Sequence, residues 1–326
     1  MSRGRLKLFT NRSGEQFAQK ISREIKVKIS EMQTLDFADG ESKVILKDSV
    51  RGADVYVVQN CFDPSSNRSI YKNFFELLQA GDALRRSGAN KVTAILPYHP
   101  FARQDKSTGR EPLTARLAAD LMSVAGFENV ICSDLHAKQI VGFYKKTKID
   151  NLPASNILSN HFKESNQEIN GDLVVMAPDA GGAARAEFYA RKLQCRAAQA
   201  FKLRSNYEAN TVEKLKVAGL VKGHNVLIVD DMIDTAGSIV KLAEKLKEKE
   251  VNKLFICCTH ALLNKNALDH LSSIGADVIA TDTIPRTQEF KQMYPWYKEV
   301  SLAPLFAKAI SHLNQDQSVS ELYEDY

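Results

Sequence analysis

The sequence predicts an α/β protein of two units, each a mainly parallel sheet flanked by helices, and two observations carry the prediction. Short uninterrupted apolar runs recur along the chain, and between them lie segments whose apolar residues return at three- and four-residue steps. Strands covered on both faces are nearly continuous in hydrophobicity, whereas a helix lying on a sheet is apolar along one stripe only. Alternation of the two patterns means crossover connections and parallel strands.

The strand candidates fall into two groups. Residues 54–58, 92–96 and 129–132 form the first, and 173–176, 226–229, 254–257 and 277–280 the second. A first helix is expected to start at Ser13, where Gln16 stands in capping-box spacing, with Phe17, Ile21 and Ile25 on one face. A second spans Ile70 to Arg86 and stops at Gly88, and a third starts near Thr114, just past Pro112, and stops near Gly126. A fourth follows Gly237, with Ile239, Leu242, Ala243 and Leu246 inward and Lys and Glu outward. The groups divide near 149–153, giving domains 1–150 and 151–326, with the last helix a candidate to dock back on the first domain. The polar, acidic residues 318–326 read as a tail or a docked helix end.

A chain of 326 residues, 44% hydrophobic and 25% charged, can bury a core without staples. The net charge of 44 − 39 = +5 is spread along the chain, which suits phosphorylated small molecules. Basic and aromatic residues are not interleaved, so no nucleic-acid partner is expected. Cys61, Cys132, Cys195, Cys257 and Cys258 are odd in number and lack CxxC spacing, which favours a reducing compartment. The basic N-terminus has no apolar stretch behind it, and nothing approaches the roughly 20 apolar residues of a membrane span. A cytoplasmic protein with no membrane partner is expected.

The strongest chemical signal lies at 226–238. An apolar strand runs into Asp230-Asp231, followed by Met232, Ile233 and Asp234, then Thr235-Ala236-Gly237-Ser238 and a helix. Backbone N–H groups and the hydroxyls of Thr235 and Ser238 at a helix N-terminus make an anion site suited to a phosphate monoester, and Gly237 permits close backbone approach. The two carboxylates can accept hydrogen bonds from vicinal sugar hydroxyls or face a metal ion. Phosphate at one end and diol at the other describe a ribose 5-phosphate.

Other segments carry weaker signals. Phe37, Asp39, Gly40 and Glu41 offer an aromatic face beside carboxylates, suited to a purine amino group, although Asp-Gly alone is a turn signal. Arg103-Gln104-Asp105 follows a buried strand and Pro100, and a guanidinium presents a planar fork to phosphates. His136 follows the strand at 129–132, a position that on its own is more often structural. Asp179, in Pro-Asp-Ala-Gly-Gly, ends another strand, and Lys202 and Arg204 lie two residues apart on an extended segment.

The 229–238 segment resembles the phosphoribosyl-pyrophosphate loop shared by phosphoribosyltransferases and ribose-phosphate diphosphokinases, and alone it does not separate the two. The other motifs, in order and from about Lys7 to Ser318, resemble the diphosphokinase (PRPP synthetase) family. The resemblance implies two phosphoribosyltransferase-like domains. It also implies transfer of the β,γ-diphosphoryl group of ATP to ribose 5-phosphate, giving 5-phosphoribosyl 1-diphosphate and AMP for nucleotide, histidine, tryptophan and NAD biosynthesis. It assigns ATP binding to Phe37, Asp39, Gly40, Glu41, Arg103, Gln104, Asp105 and His136. Ribose 5-phosphate falls to Arg204, Asp230, Asp231, Asp234, Thr235, Ala236, Gly237 and Ser238. Catalysis falls to Lys202, Arg204 and Arg103, and Mg2+ to His136 and Asp179. Ser49 and Arg51 would belong to an allosteric surface with phosphate as activator, and a homo-oligomer built from dimers, up to a hexamer, would form. A phosphoribosyltransferase would leave the 37–41, 103 and 202–204 motifs without purpose, and a non-catalytic regulatory subunit should have lost its acid or basic pair. Three departures stand out. Ala236 replaces the usual glycine, the 105–112 segment is shortened, and 63–73 carries an insertion.

Overall fold

The computed structural model describes residues 4–169, 172–203 and 214–323. By its internal contacts the chain forms two units. The first is the chain up to Pro153 together with Asp282–Arg286 and the segment from Ser301 onward, and the second is Ala154–Thr281 with Thr287–Val300.

In chain order the first unit contains β1 (Leu6–Thr10), α1 (Glu15–Ile25), β2 (Met32–Asp36), β3 (Ser42–Leu46), β4 (Asp54–Val58), α2 (Ile70–Arg86), β5 (Lys91–Leu96), α3 (Thr114–Val124), β6 (Asn129–Ser133) and β7 (Lys148–Leu152). Among the described residues, β1-β4-β5-β6-β7 form a sheet whose neighbours all run parallel. β2 and β3 pair antiparallel in a small separate sheet. Alternate residues of the main sheet, among them Phe9, Val55, Val57, Ala94, Leu96 and Val130, pack with Phe74, Leu77 and Leu84 of α2 and with Ala115, Ala118 and Met122 of α3. Strand periodicity puts such residues on one face.

The helix expected from Ser13 begins later. A 3-10 turn occupies Arg12–Gly14, Gly14 caps α1 without a side-chain bond, and Ser13 Oγ instead accepts a hydrogen bond from buried Gln59 Nε2 at 2.6 Å. A hydroxyl claimed by a buried amide is not available to a helix end. α2 keeps its expected bounds, and its cap is Ser69, whose hydroxyl accepts from Lys72 N.

The second unit continues with α4 (Ser155–Ser165), β8 (Leu173–Ala177), α5 (Ala183–Lys192), β9 (Arg196–Leu203), β10 (Lys214–Ala218), β11 (Asn225–Ile233), α6 (Gly237–Lys247), β12 (Leu254–Ala261), α7 (Ala267–Ile274), β13 (Asp277–Thr281), α8 (Gln288–Met293) and β14 (Tyr297–Val300). The sheet order is β10-β9-β8-β11-β12-β13-β14, parallel except where β10 meets β9. From β8 the chain steps outward to β9, and from β11 it steps the other way to β12. The β8–β11 boundary is therefore the switch point at which open α/β sheets leave a crevice beyond the strand ends. Ile239, Leu242 and Leu246 of α6 and Leu271 and Ile274 of α7 pack on Val226, Ile228, Ile256 and Val278.

α9 (Ala303–Asn314) belongs to the first unit. Phe306 meets Phe17 of α1 edge to face at 5.2 Å, and Asn314 Nδ2 donates to the buried Asp54 carboxylate at 2.9 Å. One buried carboxylate fastens the entry to this helix. Asp282 accepts from Lys20 Nζ at 2.7 Å, Ser301 Oγ at 2.5 Å and the Leu302 amide at 2.8 Å. Among the described residues no helix is long and apolar enough to cross a membrane.

Removing the Asp282 carboxylate strands a lysine and two further donors. Asp282→Ala is expected to lower stability by about 2–3 kcal/mol, read as a lower urea midpoint. An unchanged midpoint would show that the staple contributes nothing.

Candidate active site

The site in the second unit is built at the ends of β11 and β8. Pairing with β12 carries β11 past its apolar run, with Asp230 opposite Cys258 and Met232 opposite His260, so the two acids sit on ordered strand rather than on a loop. Asp230 is partly buried and Asp231 is buried. The Asp231 amide donates to Asp230 Oδ1 at 2.9 Å, and the Arg185 guanidinium on α5 reaches Oδ1 of Asp230 at 3.3 Å and Oδ1 of Asp231 at 3.4 Å. Burial, then the neighbouring Asp231 charge, push the Asp230 carboxyl up to about 8, against the opposing pull of Arg185. Interacting acids of this kind titrate as a pair.

Downstream, the loop is tied at successive residues. Asn264 donates through Nδ2 to Asp234 Oδ1 and through its amide to Asp234 O, both at 2.8 Å. His270 Nδ1 donates to the Thr235 carbonyl at 3.0 Å. Ala236, at φ +61°, caps α6 in the left-handed region, and Gly237 opens the helix. The first amides of a helix have no intrahelical partner, so those of α6 remain available to an anion. Asp179 follows β8, where its carboxylate accepts from the Gly182 amide at 3.3 Å, and the short 3-10 turn Ala180–Gly182 packs against β11. Asp179 and the 230–238 segment thus share the switch-point edge. Lys202 lies in β9 opposite Leu215, while Arg204 lies outside the described residues.

The first unit gathers a second set of residues at the ends of β5 and β6. The chain turns at Phe101, φ +61°, whose ring is held by Tyr71 and Phe74 at 5.3 and 5.6 Å. Exposed Arg103 and Gln104 follow. Gln104 accepts from Thr114 Oγ1 at 2.6 Å. Asp105 is buried and accepts from Gln139 Nε2, so its carboxylate is engaged within the protein. His99 is also buried. Its Nδ1 bonds the Pro100 carbonyl at 2.8 Å and its Nε2 the Tyr144 hydroxyl at 2.7 Å. A carbonyl only accepts, so Nδ1 carries the proton and Nε2 accepts from Tyr144. Burial pulls His99 down to about 4 and keeps it neutral. His136, exposed beyond β6, stands just ahead of the Gln139 and Tyr144 ties.

Phe37, Asp39, Gly40 and Glu41 form the turn of the β2–β3 hairpin. Phe37 N bonds Glu41 O, Gly40 N bonds Phe37 O, and the Glu41 amide donates to Asp39 Oδ1. The turn and the aromatic surface coexist, for the Phe37 ring is 49% exposed. Ser49 and Arg51 are exposed ahead of β4. His136 lies in the first unit and Asp179 in the second. Sequence reasoning missed Arg185, Asn264, His270, His99, Gln139 and Tyr144. Only Arg185 left a signal, a cation in the first turn of a helix, where the macrodipole disfavours it.

A phosphate-type helix end beside a buried acid pair at a switch point defines an α/β enzyme acting on a phosphorylated sugar, and comparison with known proteins makes that particular. The N-terminal domain of ribose phosphate pyrophosphokinase matches residues 6–126, and the phosphoribosyl synthetase-associated domain matches 196–324. The chain is 39% identical to the ribose-phosphate pyrophosphokinase of Caldanaerobacter subterraneus subsp. tengcongensis over 98% of both proteins. It is also 39% identical to that of Campylobacter jejuni, over 97% of this chain and 98% of the relative. The crystal structure of phosphoribosylpyrophosphate synthetase from Mycobacterium smegmatis superposes with a TM-score of 0.87 at 35% identity, covering 96% of this chain and 99% of that one. The chain belongs to the ribose-phosphate pyrophosphokinase family.

The raised Asp230 carboxyl makes the fold pH-sensitive. The folded protein holds a proton there that the unfolded chain has released above about pH 4, so stability falls as pH rises from about 4 toward 8. Asp230→Asn removes this liability. It is expected to melt higher than the parent at pH 8, with the gap narrowing as pH falls toward 5. A gap that does not change with pH would contradict the assignment.

Proposed function

We propose that this chain transfers the β,γ-diphosphoryl group of ATP to the anomeric hydroxyl of ribose 5-phosphate. The anomeric oxygen attacks the β-phosphorus in line, the bond from that phosphorus to the α,β-bridging oxygen breaks, AMP leaves, and the hydroxyl proton is released. The observation that carries this reading is the α6 N-terminus, reached through left-handed Ala236, directly downstream of the Arg185-braced acid pair. One end suits a phosphate monoester and the other a diol.

Asp230 and Asp231 accept from the ribose hydroxyls, and Thr235, Ala236, Gly237 and Ser238 bind the 5-phosphate, with Asp234 bracing the loop. Phe37 stacks on the adenine, whose polar edge the nearby acids receive, and Arg103 and Gln104 take the nucleotide phosphates. Asp105 acts through Gln139, holding the Arg103 turn rather than touching nucleotide. Lys202, Arg204 and Arg103 offset the charge that shifts as the diphosphoryl group moves. Little covalent chemistry falls to the protein, so positioning dominates.

Mg2+ enters with ATP and neutralises phosphate charge. Among the described residues no group of three or more His, Cys, Asp or Glu could hold a metal. His136 and Asp179 would be the residues that help to hold the ion, which would supply charge neutralisation at the phosphates. A cytoplasmic homo-oligomer, built from dimers and extending to a hexamer, with phosphate acting at the Ser49–Arg51 surface, completes the reading.

Incubation with ribose 5-phosphate, ATP and Mg2+ is expected to yield AMP without ADP. ADP would mark an ordinary kinase, and no nucleotide turnover would favour a non-catalytic subunit. Lys202→Ala is expected to lower kcat by about two to three orders of magnitude and to change ribose 5-phosphate affinity far less. Near-normal turnover would remove Lys202 from the mechanism.

A further inference from the structure

The β2–β3 hairpin that presents Phe37 is a separate two-stranded sheet, an element marginal on its own in water. Met32, Val44 and Leu46 pack on the core of the first unit, and the turn end of the hairpin is held by polar contacts. The last pair before the turn is Asp36 opposite Ser42, and both are held from outside the hairpin. Gln79 Nε2 of α2 donates to the Ser42 carbonyl at 2.8 Å. Asp36 is met by three cations from three places: Arg12 of the 3-10 turn before α1, Lys72 of α2 at 2.9 Å, and Arg68 of the loop before α2 at 3.4 Å. Arg12 also donates to the Thr34 carbonyl.

Two of these cations, Arg68 and Lys72, lie in the 63–73 stretch. Arg68 is itself anchored, for it pairs with the fully buried Glu76 of α2 and donates to Asn73 Oδ1 at 3.3 Å. Asn73 is buried and donates to the Cys61 carbonyl at 3.0 Å. The 63–73 stretch is therefore tied to the core through Arg68 and Asn73 and offers positive charge to the hairpin through Arg68 and Lys72. Exposed ion pairs contribute little to stability. A carboxylate shared by three cations on different elements instead fixes direction. Lys72 and Arg12 together hold Asp36 well below the usual carboxylate range, so the cluster persists through acidic pH.

We propose that Asp36 is a positioning residue for the nucleotide site: through Arg12, Arg68 and Lys72 it aims the Phe37 turn. The inference rests on the assignment of Phe37 to the adenine ring. The ligand served is a purine nucleoside triphosphate, and the sugar phosphate site is independent of it.

The test uses the full-length enzyme and three variants. Asp36→Asn keeps size and leaves the Arg68–Glu76 pair intact, Asp36→Glu restores the charge, and Phe37→Ala removes the ring. Asp36→Asn is expected to raise KM for ATP about five- to tenfold, with kcat and KM for ribose 5-phosphate within about twofold of the parent. Its melting temperature should be unchanged, and Asp36→Glu should recover most of the loss. Phe37→Ala should raise KM for ATP at least as much. An ATP KM unchanged in Asp36→Asn but raised in Phe37→Ala overturns the inference and leaves the adenine assignment standing. If neither variant changes it, both fall. A lowered melting temperature with kcat and both KM values shifting together would mean a merely structural role, and would also overturn it.

Discussion

Two adjacent carboxylates at the end of a strand covered on both faces are the costliest arrangement in the second unit, and much around them answers that cost. Buried like charges cannot both ionise without help. Arg185 reaches an oxygen of each, and the Asp231 amide turns back onto Asp230. β12 extends in register past them, so their backbone is held by ladder hydrogen bonds. Even so, Asp230 stays protonated well above its usual range.

The first unit handles the opposite charge by the opposite means. Beneath exposed Arg103 the support is neutral. His99 is buried and uncharged, its one proton committed to the Pro100 carbonyl and its lone pair to Tyr144. Phe101 takes a left-handed conformation that a bulky residue adopts only when its surroundings over-determine it, and the Tyr71 and Phe74 rings do so. Asp105 is spent on Gln139, inside the protein. The turn that carries Arg103 is thus held by neutral groups at His99 and Phe101.

The strands were legible because strands buried on both faces leave unbroken apolar runs, and α2 and α6 because their stripes are clean and Gly88 and Gly237 mark one end of each. What escaped depends on partners distant in sequence. Ser13 looks like a cap until Gln59 takes its hydroxyl. The 37–41 segment reads as a turn, yet no local pattern shows the hairpin on either side of it, whose strands are only partly covered. Arg185 became part of the acid site only once the sheet order set β8 beside β11. The sequence offered the last helix as a candidate to dock back on the first domain, but not the contacts that hold α9 there, with Phe17, Asp54 and Asp282.

Ala236 shows how a departure in sequence can leave a site intact. Its backbone is left-handed, the conformation for which glycine is the easy choice, and alanine there costs about 1–2 kcal/mol. Its methyl, however, is buried in the cluster that includes Ile239 and Leu242, which returns about 0.8 kcal/mol. The two nearly cancel, so the loop keeps its shape. The room for ligand lies one residue on. A side-chain carbon at Gly237 would meet nothing nearer than Thr235 Oγ1 at 3.9 Å, and its backbone is not left-handed. Neither crowding nor conformation demands glycine at 237. Under the proposed reading the reason is the space that a phosphate needs against the first turn of α6, a requirement of the ligand rather than of the fold.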